Sequence, residues 1–394
     1  MADRLLKIAW ISSFPIERLS EVPEMLRGLP PLHPSSWQRV LLDGFQSRAD
    51  LKIHVLAVRR QFPRLMSFES DGVTFHCIKI PRGMRTLSLF WWETLRIRRC
   101  LRQIRPNLVH AWGTERGAAL VASRLHYPYL VTMQGLLEWY QQQVPGDWLF
   151  RLEARIERIA LRRASVVTTE STFGVNWIRE HHPHLKVLQV EHAPAWVFHR
   201  VQRQPITKPI QFLYVGSLLP LKGTDLLLRA LDKIRDDLDF RLTMVGTPAP
   251  GFIEQIKTAT SKSLWDRVNL RRGLSPPEVA AELARTTMLL FPTRADTSPN
   301  AVKEAVVAGV PVIGSAVGGI NDYVVPEKNG LTFPVGDLDA FLEAIRRAVS
   351  HPLFSQGAVN AETLANMRSY LSPLKMADGF VGAYREVLGR YAAR

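Results

Sequence analysis

The strongest constraint in this sequence is an alternation of short, almost uninterrupted apolar runs with longer helix-patterned stretches. In the first half the runs are KIAWISSF (7–14), LKIHVLAV (51–58), VTFHCIKI (73–80), LVHAW (108–112), YLVTM (129–133), SVVTT (165–169) and KVLQV (186–190). They are short and rich in β-branched residues, which favours strands over helices. A strand that is apolar on both faces must be covered on both faces, which points to a parallel sheet wrapped by helices. The stretch HRVQRQPITKP (199–209) is polar, holds two prolines and reads as a linker. The alternation then restarts with IQFLYVGS (210–217), FRLTMVG (240–246), VNLRRG (268–273), TMLLFP (287–292), VPVIG (310–314) and GLTFP (330–334), with helices expected from 223, from 276 and around Glu304. The expected fold class is therefore α/β, with two tandem Rossmann-like, doubly wound domains at 1–198 and 199–374. Ligands of such sheets sit beyond the carboxyl ends of the strands, so two domains facing across a cleft would place the natural site there.

A chain of 394 residues is long enough for two separate cores. Two cysteines, Cys77 and Cys100, offer no disulfide framework and suit a reducing, cytoplasmic compartment. The N-terminal MADRLLKIAWISSF reads as a first strand rather than a signal peptide, and no apolar run is long enough to span a bilayer. The net charge of +15 is uneven. Residues 1–200 carry 28 Lys/Arg against 17 Asp/Glu, a balance of +11, while the remainder carries 23 against 19, a balance of +4. A basic first half suits an anionic partner surface. No nucleic-acid recognition motif accompanies the charge, so nucleic acid is not expected as a partner.

The chemistry concentrates in LLFPTRADTSPNAVKEAVVAGVPVIGSAVGG (289–319). A strand ends at Pro292, a polar loop holds Asp296, and Ser298, Pro299 and Asn300 lead into a helix that carries Glu304. Proline suits a first helical turn, and the open N–H groups there favour an anionic or hydroxyl-rich ligand. The Glu304 carboxylate can accept hydrogen bonds from a vicinal diol such as a ribose, and Asp296 from the hydroxyls of a second moiety. Upstream, Gly216 ends a strand and Lys222-Gly223 opens a helix, where a lysine can hold a phosphate as a compact charge. Gly318-Gly319 after the VPVIG strand can bring N–H groups against a diphosphate.

Taken in order, VG-S-x4-KG-x-DLLL-x-AL, the MVG turn, FPT-x2-D-x2-PN-x3-EA-x3-GVPVI-x3-VGG and NG-L-x-F-P-x-GD make the chain from about residue 210 onward resemble the family 4 retaining glycosyltransferases of GT-B fold, the glycosyl transferases group 1. The first half resembles the family more loosely, through LVHAWG, VTMQG and VTTES. The resemblance implies a nucleotide sugar as co-substrate and no further cofactor. It implies that Glu304 binds the ribose and that Asp296 with Ser298, Pro299 and Asn300 holds the donor sugar. Lys222 and the Gly318-Gly319 turn would hold the diphosphate beside Gly216 and Gly223, and the nucleobase would lie near Arg272, Gly273 and Leu274. A last helix within 375–394 would pack back on the first domain. Three positions depart from the family pattern. Ser217 stands where an arginine is usual, which leaves one diphosphate cation missing unless Arg294 reaches in. Gln134-Gly135 stands where His-Gly is frequent. The usual double glycine after the first strand is replaced by a segment ending HPSSWQRV, in which Ser35 or Ser36 could cap a helix and, beside Trp37, face an acceptor. His110 and Gln134 would line the acceptor side.

The function expected on this basis is a retaining, metal-independent glycosyltransferase acting on a lipid-linked or surface-glycan acceptor. Asp296, Lys222, Glu304, Gln134 and His110 are its catalytic candidates. Asp237/Asp239 and Asp337/Asp339 match the D-x-D pattern of metal-using transferases, but both pairs open structural elements, where capping accounts for them. No metal site is expected. Residues 84–106, MRTLSLFWWETLRIRRCLRQIRP, join aromatic residues to six arginines and suit an anionic membrane surface, peripheral at its inner face. The alternatives are a catalytically silent nucleotide-sugar-binding scaffold, for which Ser217 and Gln134 speak, and a nucleotide-sugar epimerase of the same fold.

Overall fold

Why the apolar runs become strands is visible in their burial. In LVHAW every residue is buried, as in VVTT, MLLF and VIGS, so both faces of each run are covered. The structure, a computed structural model, describes residues 5–30, 35–143, 146 and 148–393. The chain forms two units of its own packing: residues 1–170, 174–191 and 376–394 make the first, and 171–173 with 192–375 make the second. The passage into the second unit thus falls at Glu191/His192, earlier than the boundary at 198 read from the sequence.

The first unit holds β1 (Leu6–Ser12), β2 (Leu51–Arg59), β3 (Met66–Ser70), β4 (Val73–Lys79), β5 (Leu108–Trp112), β6 (Tyr129–Thr132), β7 (Val166–Thr169) and β8 (Lys186–Gln189). They form one sheet in the order β3-β4-β2-β1-β5-β6-β7-β8. All pairs are parallel except β3–β4. The second unit holds β9 (Ile210–Val215), β10 (Phe240–Val245), β11 (Val268–Arg271), β12 (Met288–Phe291), β13 (Val312–Ser315) and β14 (Gly330–Phe333), in the order β11-β10-β9-β12-β13-β14 and parallel throughout. In each sheet the chain starts at a central strand, builds outward to one side and then crosses to the other. The switch points lie between β1 and β5 and between β9 and β12.

Strand β3 was not expected. Its burial alternates rather than running continuously, because it is an antiparallel edge strand. The signal for it was the Asp71-Gly72 pair, both residues at positive φ, the two-residue turn that closes a hairpin onto β4. The segment expected as a linker is a strap. Gln204 and Ile206 donate to the carbonyls of Ala284 and Arg285. The partly buried Arg203 guanidinium donates to the carbonyls of Leu283, Ala284, Thr286 and Gly357.

The last helix, Pro373–Ala392, enters the first unit at Met376. There the Trp10 Nε1–H donates to the Tyr384 hydroxyl at 3.1 Å, which stands 3.0 Å from His110 Nδ1. An indole N–H can only donate, so the Tyr384 oxygen accepts it. His110 Nε2 lies 2.6 Å from Thr132 Oγ1.

Candidate functional site

In the second unit the predicted residues gather at the carboxyl ends of β9, β12 and β13, on either side of the switch point. After β9 the chain turns at Gly216, makes a short turn through Pro220–Lys222 and enters the helix Thr224–Lys233. After β12 the loop 292–299 leads into the helix Asn300–Ala308, which no side chain caps, so its first N–H groups stay open. Two glycines let neighbouring turns close on that loop. A Cβ at Gly223 would stand 1.7 Å from the Pro292 carbonyl oxygen, and one at Gly318 would stand 1.8 Å from that of Asp296. Both have φ in the left-handed region, which glycine occupies at no steric cost.

The loop brings charge together. Lys222 Nζ lies 2.5 Å from Asp296 Oδ2 and 3.4 Å from the Ala295 carbonyl oxygen. The other oxygen of Asp296, Oδ1, accepts from the Ser298 N–H at 3.2 Å. Glu304 lies one turn into the helix, partly exposed. Burial pushes its carboxyl up to about 8, against the opposing charge of Lys303. The Ser298 hydroxyl meets that of Tyr323 at 2.7 Å, and Pro299 is buried at the helix start.

Some expectations at this site need correction. Arg294 does not stand free for a diphosphate: it grips Asp225 with two bonds of 2.6 and 2.8 Å and also donates to the Pro220 carbonyl. Burial alone would raise the Asp225 carboxyl, but the Arg294 hydrogen bonds and charge outweigh it and hold it below its ordinary value. The Gly318-Gly319 turn offers one donor, not two, because the Gly319 N–H is bound to the Thr297 carbonyl at 2.9 Å. Ser217 is exposed, and its carbonyl accepts from the Tyr214 hydroxyl at 3.0 Å. Arg272, Gly273 and Leu274 follow the edge strand β11, two strands from β9; the first two are exposed and Leu274 is partly buried. Sequence reasoning passed over Asp225, although it follows Lys222-Gly223 at a helix start.

The first unit has its own concavity, a cavity of about 220 Å³ at the carboxyl ends of β1, β5 and β6. Of the predicted acceptor residues it brings together Ser35, Trp37 and Gln134. The rest of the wall includes Trp112, Glu115 and Arg116, none of them foreseen. The signal for the last two was GTER after the strand LVHAW, a charged pair near a strand's carboxyl end. Burial raises the Glu115 carboxyl, while the backbone N–H groups of Glu115 and Thr114 pull it down. Gly135 stands beside it, since a Cβ there would be 3.2 Å from Glu115 Oε1. His110 does not line this space. It is fully buried and its ring nitrogens are engaged by Tyr384 and Thr132, so it cannot touch a ligand. Ser36 opens the helix Ser36–Phe45 and is not part of the wall, and the Ser35 side chain does not cap that helix. His33 and Pro34 lie outside the described residues.

Among the described residues no group of three or more His, Cys, Asp or Glu side chains could hold a metal ion. Asp337 caps the helix Leu338–Ser350, accepting from the Ala340 N–H at 2.9 Å, and Asp237 and Asp239 lie exposed in the turn before β10.

Known proteins match both halves. The family described as glycosyl transferases group 1 matches residues 209–351, and the glycosyl transferase 4-like domain matches residues 40–191. A GDP-mannose-dependent alpha-mannosyltransferase of Mycobacterium tuberculosis is 28% identical over 345 residues, 81% of this chain and 84% of that protein. A protein of the same description from Mycolicibacterium smegmatis is 30% identical over 181 residues, 46% of this chain. With it and with two D-inositol 3-phosphate glycosyltransferases, the matched stretch spans less than half of the relative's length: 44%, 36% and 39%. Among solved structures, sucrose-phosphate synthase from Thermosynechococcus elongatus superposes with a TM-score of 0.77 at 19% identity, over 99% of this chain and 100% of that one. Anabaena HepE in complex with UDP gives 0.70 at 13% identity, over 97% and 100%. The two domain matches fall one on each unit and the fold extends over the whole chain, so the protein belongs to the group 1 glycosyl transferases and has their GT-B fold.

Proposed function

We propose that this chain is a retaining, metal-independent glycosyltransferase that moves a sugar from a nucleotide-sugar donor to a lipid-linked or surface-glycan acceptor, with the donor on the second unit and the acceptor on the first. The observation that carries this reading is the Lys222–Asp296 pair beside an uncapped helix start and Glu304. One residue pair thereby addresses both sides of the bond that breaks. The ammonium and the open N–H groups stabilise the departing diphosphate, and the Asp296 carboxylate faces the hydroxyls of a sugar that is developing positive charge. Retention follows when the acceptor attacks the face from which the diphosphate leaves, with the diphosphate taking the acceptor proton. Metal independence rests on Lys222 as the diphosphate cation and on Asp337 being occupied as a helix cap.

Two of the relatives are described as GDP-mannose-dependent, and HepE was solved with UDP, so guanine and uracil are the nucleobases to test first. The experiment is a thermal-shift panel of UDP, GDP and ADP with their sugar nucleotides, on the wild type and Glu304→Ala, with and without chelator. A shift selective for one nucleotide, lost in the variant and indifferent to chelator, is expected. No shift with any nucleotide would sink the donor assignment, and a shift that needs Mg²⁺ would sink metal independence. Slow donor hydrolysis without acceptor separates an enzyme from a silent scaffold.

The proposal includes an anionic membrane surface as partner of the first unit. On the helix Trp91–Ile104, Trp91 and Leu95 are exposed at 49% and 58%, and Arg96, Arg99 and Arg102 share the outer side. Phe90 and Leu101, grouped with them in the sequence, are instead buried.

A further inference from the structure

We propose that Arg294 and Asp225 form a positioning clamp that fixes Lys222 in the second unit, so that the hold on a diphosphate depends on two residues that do not touch it. This deepens the donor assignment above and rests on it. The two residues stand 69 positions apart in the chain, and the contacts of Arg294 fall on both flanks of Lys222. On one flank its guanidinium donates to the Pro220 carbonyl, and its backbone N–H donates to that of Leu221 at 2.9 Å. On the other flank the guanidinium grips both oxygens of Asp225, in the first turn of the helix Thr224–Lys233. The Thr293 hydroxyl adds a bond to the Leu221 carbonyl at 3.4 Å. The turn Pro220–Lys222 is too short to be held by a ladder of its own and no side chain caps it, so these contacts with the 292–299 loop fix its place.

Lys222 needs such a frame. A lysine is a compact charge on a flexible stem, so its ammonium sits where its backbone is held. The Asp296 carboxylate at 2.5 Å and the Ala295 carbonyl at 3.4 Å take two of the three ammonium donors, and the third is left for a ligand oxygen. Both partners lie on the loop that carries Arg294. Turn and loop are thus joined twice, by the Lys222 side chain and by the Arg294 side chain. The two cations have different freedom. Lys222 makes a single bond to Asp296, whose side chain is partly exposed. Arg294 makes a bidentate pair with Asp225, which is buried. Hydrogen bonds from that carboxylate raise the Arg294 guanidinium above its ordinary value, against burial. Swinging Arg294 toward a ligand would leave a buried carboxylate unpaired, a far larger cost than moving Lys222. Arg294 therefore stays in the frame and Lys222 meets the phosphate.

The test is calorimetric titration of the full chain with UDP, UMP, GDP and GMP. The proteins are the wild type, Lys222→Ala, Arg294→Ala, Arg294→Lys, Asp225→Asn and the double variant Lys222→Ala, Arg294→Ala. For the base that binds, the wild type should hold the diphosphate more tightly than the monophosphate, and Lys222→Ala should cut that margin by roughly tenfold. The clamp predicts the same cut in Arg294→Ala and in Arg294→Lys, which keeps the charge but not the fork, with monophosphate affinity unchanged. The double variant should lose nothing further. Asp225→Asn is nearly isosteric, serves where Arg294→Ala does not fold, and should lose the margin in the same way. Equal loss of mono- and diphosphate binding would make the pair merely structural and overturns the inference. A margin that survives in Arg294→Lys or Asp225→Asn also overturns it. So does a wider margin in Asp225→Asn, since the released Arg294 would then be a phosphate cation in its own right. A wild type that binds no nucleotide, or holds mono- and diphosphate alike, overturns instead the functional reading beneath it.

Discussion

Glu304 carries the clearest residue-scale consequence. Its carboxyl is raised from an ordinary 4.5 to about 8 by burial. Between those values the folded chain binds more protons than the unfolded one, so the stability this group contributes is full below about 4.5 and is lost as pH rises toward 8. Glu304→Gln should flatten that fall, read by urea unfolding at pH 5, 6.5 and 8; an unchanged slope would show that Glu304 is not its source. Binding runs the other way, because the ionised carboxylate is the stronger acceptor for a diol. Nucleotide affinity should therefore tighten from pH 6.5 to 8.5 in the wild type. In Glu304→Gln it should be weaker by about tenfold, a loss of ~1.4 kcal/mol, and indifferent to pH.

At the scale of elements, two side chains hold long-range pieces in place. Arg203 ties the 199–209 strap to four carbonyls at the ends of the helix Pro276–Arg285 and the turn before Ala358. Burial lowers its guanidinium to about 10, so it remains charged at neutral pH. Arg203→Ala strands those carbonyls and should cost the second unit about 2–4 kcal/mol, seen as a lower urea midpoint at unchanged m-value. Tyr384 does the equivalent work in the first unit. Tyr384→Phe keeps the ring but leaves the Trp10 N–H and His110 Nδ1 without their partner. A loss of about 1–3 kcal/mol is expected, and no loss would mean that water replaces the hydroxyl fully.

Across the whole molecule the first half carries +11 of the net +15. The exposed Trp91 and Leu95 lie on a helix whose outer side also carries Arg96 and Arg99. Binding to vesicles rich in anionic lipid should fall steeply with salt, since each surface Lys or Arg contributes ~1 kcal/mol within a Debye length. The double substitution Arg96→Glu, Arg99→Glu should abolish co-sedimentation at low salt while leaving nucleotide binding intact. Sedimentation of the variant with anionic vesicles at wild-type levels would remove this face as the docking surface. No helix among the described residues is long and apolar enough to cross a membrane.

The sequence by itself determined the two α/β units, all six strands of the second sheet and seven of the eight in the first. A strand buried on both faces must be written as a continuous apolar run, and such runs are legible without neighbours. It also placed Asp296 on a loop, Glu304 on the helix that follows it and Lys222 at a turn before a helix, because residues at strand ends and helix starts are fixed by local chain geometry. Tertiary structure alone decided which charges are available. Arg294 has a bidentate partner in Asp225, the Gly319 N–H is already bound, and His110 is sealed under Tyr384, 274 residues away in the chain. It alone placed Glu115 and Arg116 beside Trp37 and Gln134 in one cavity. A side chain's freedom to meet a ligand depends on what packs against it. Those neighbours come from distant segments, and nothing in a residue's own stretch of sequence specifies them.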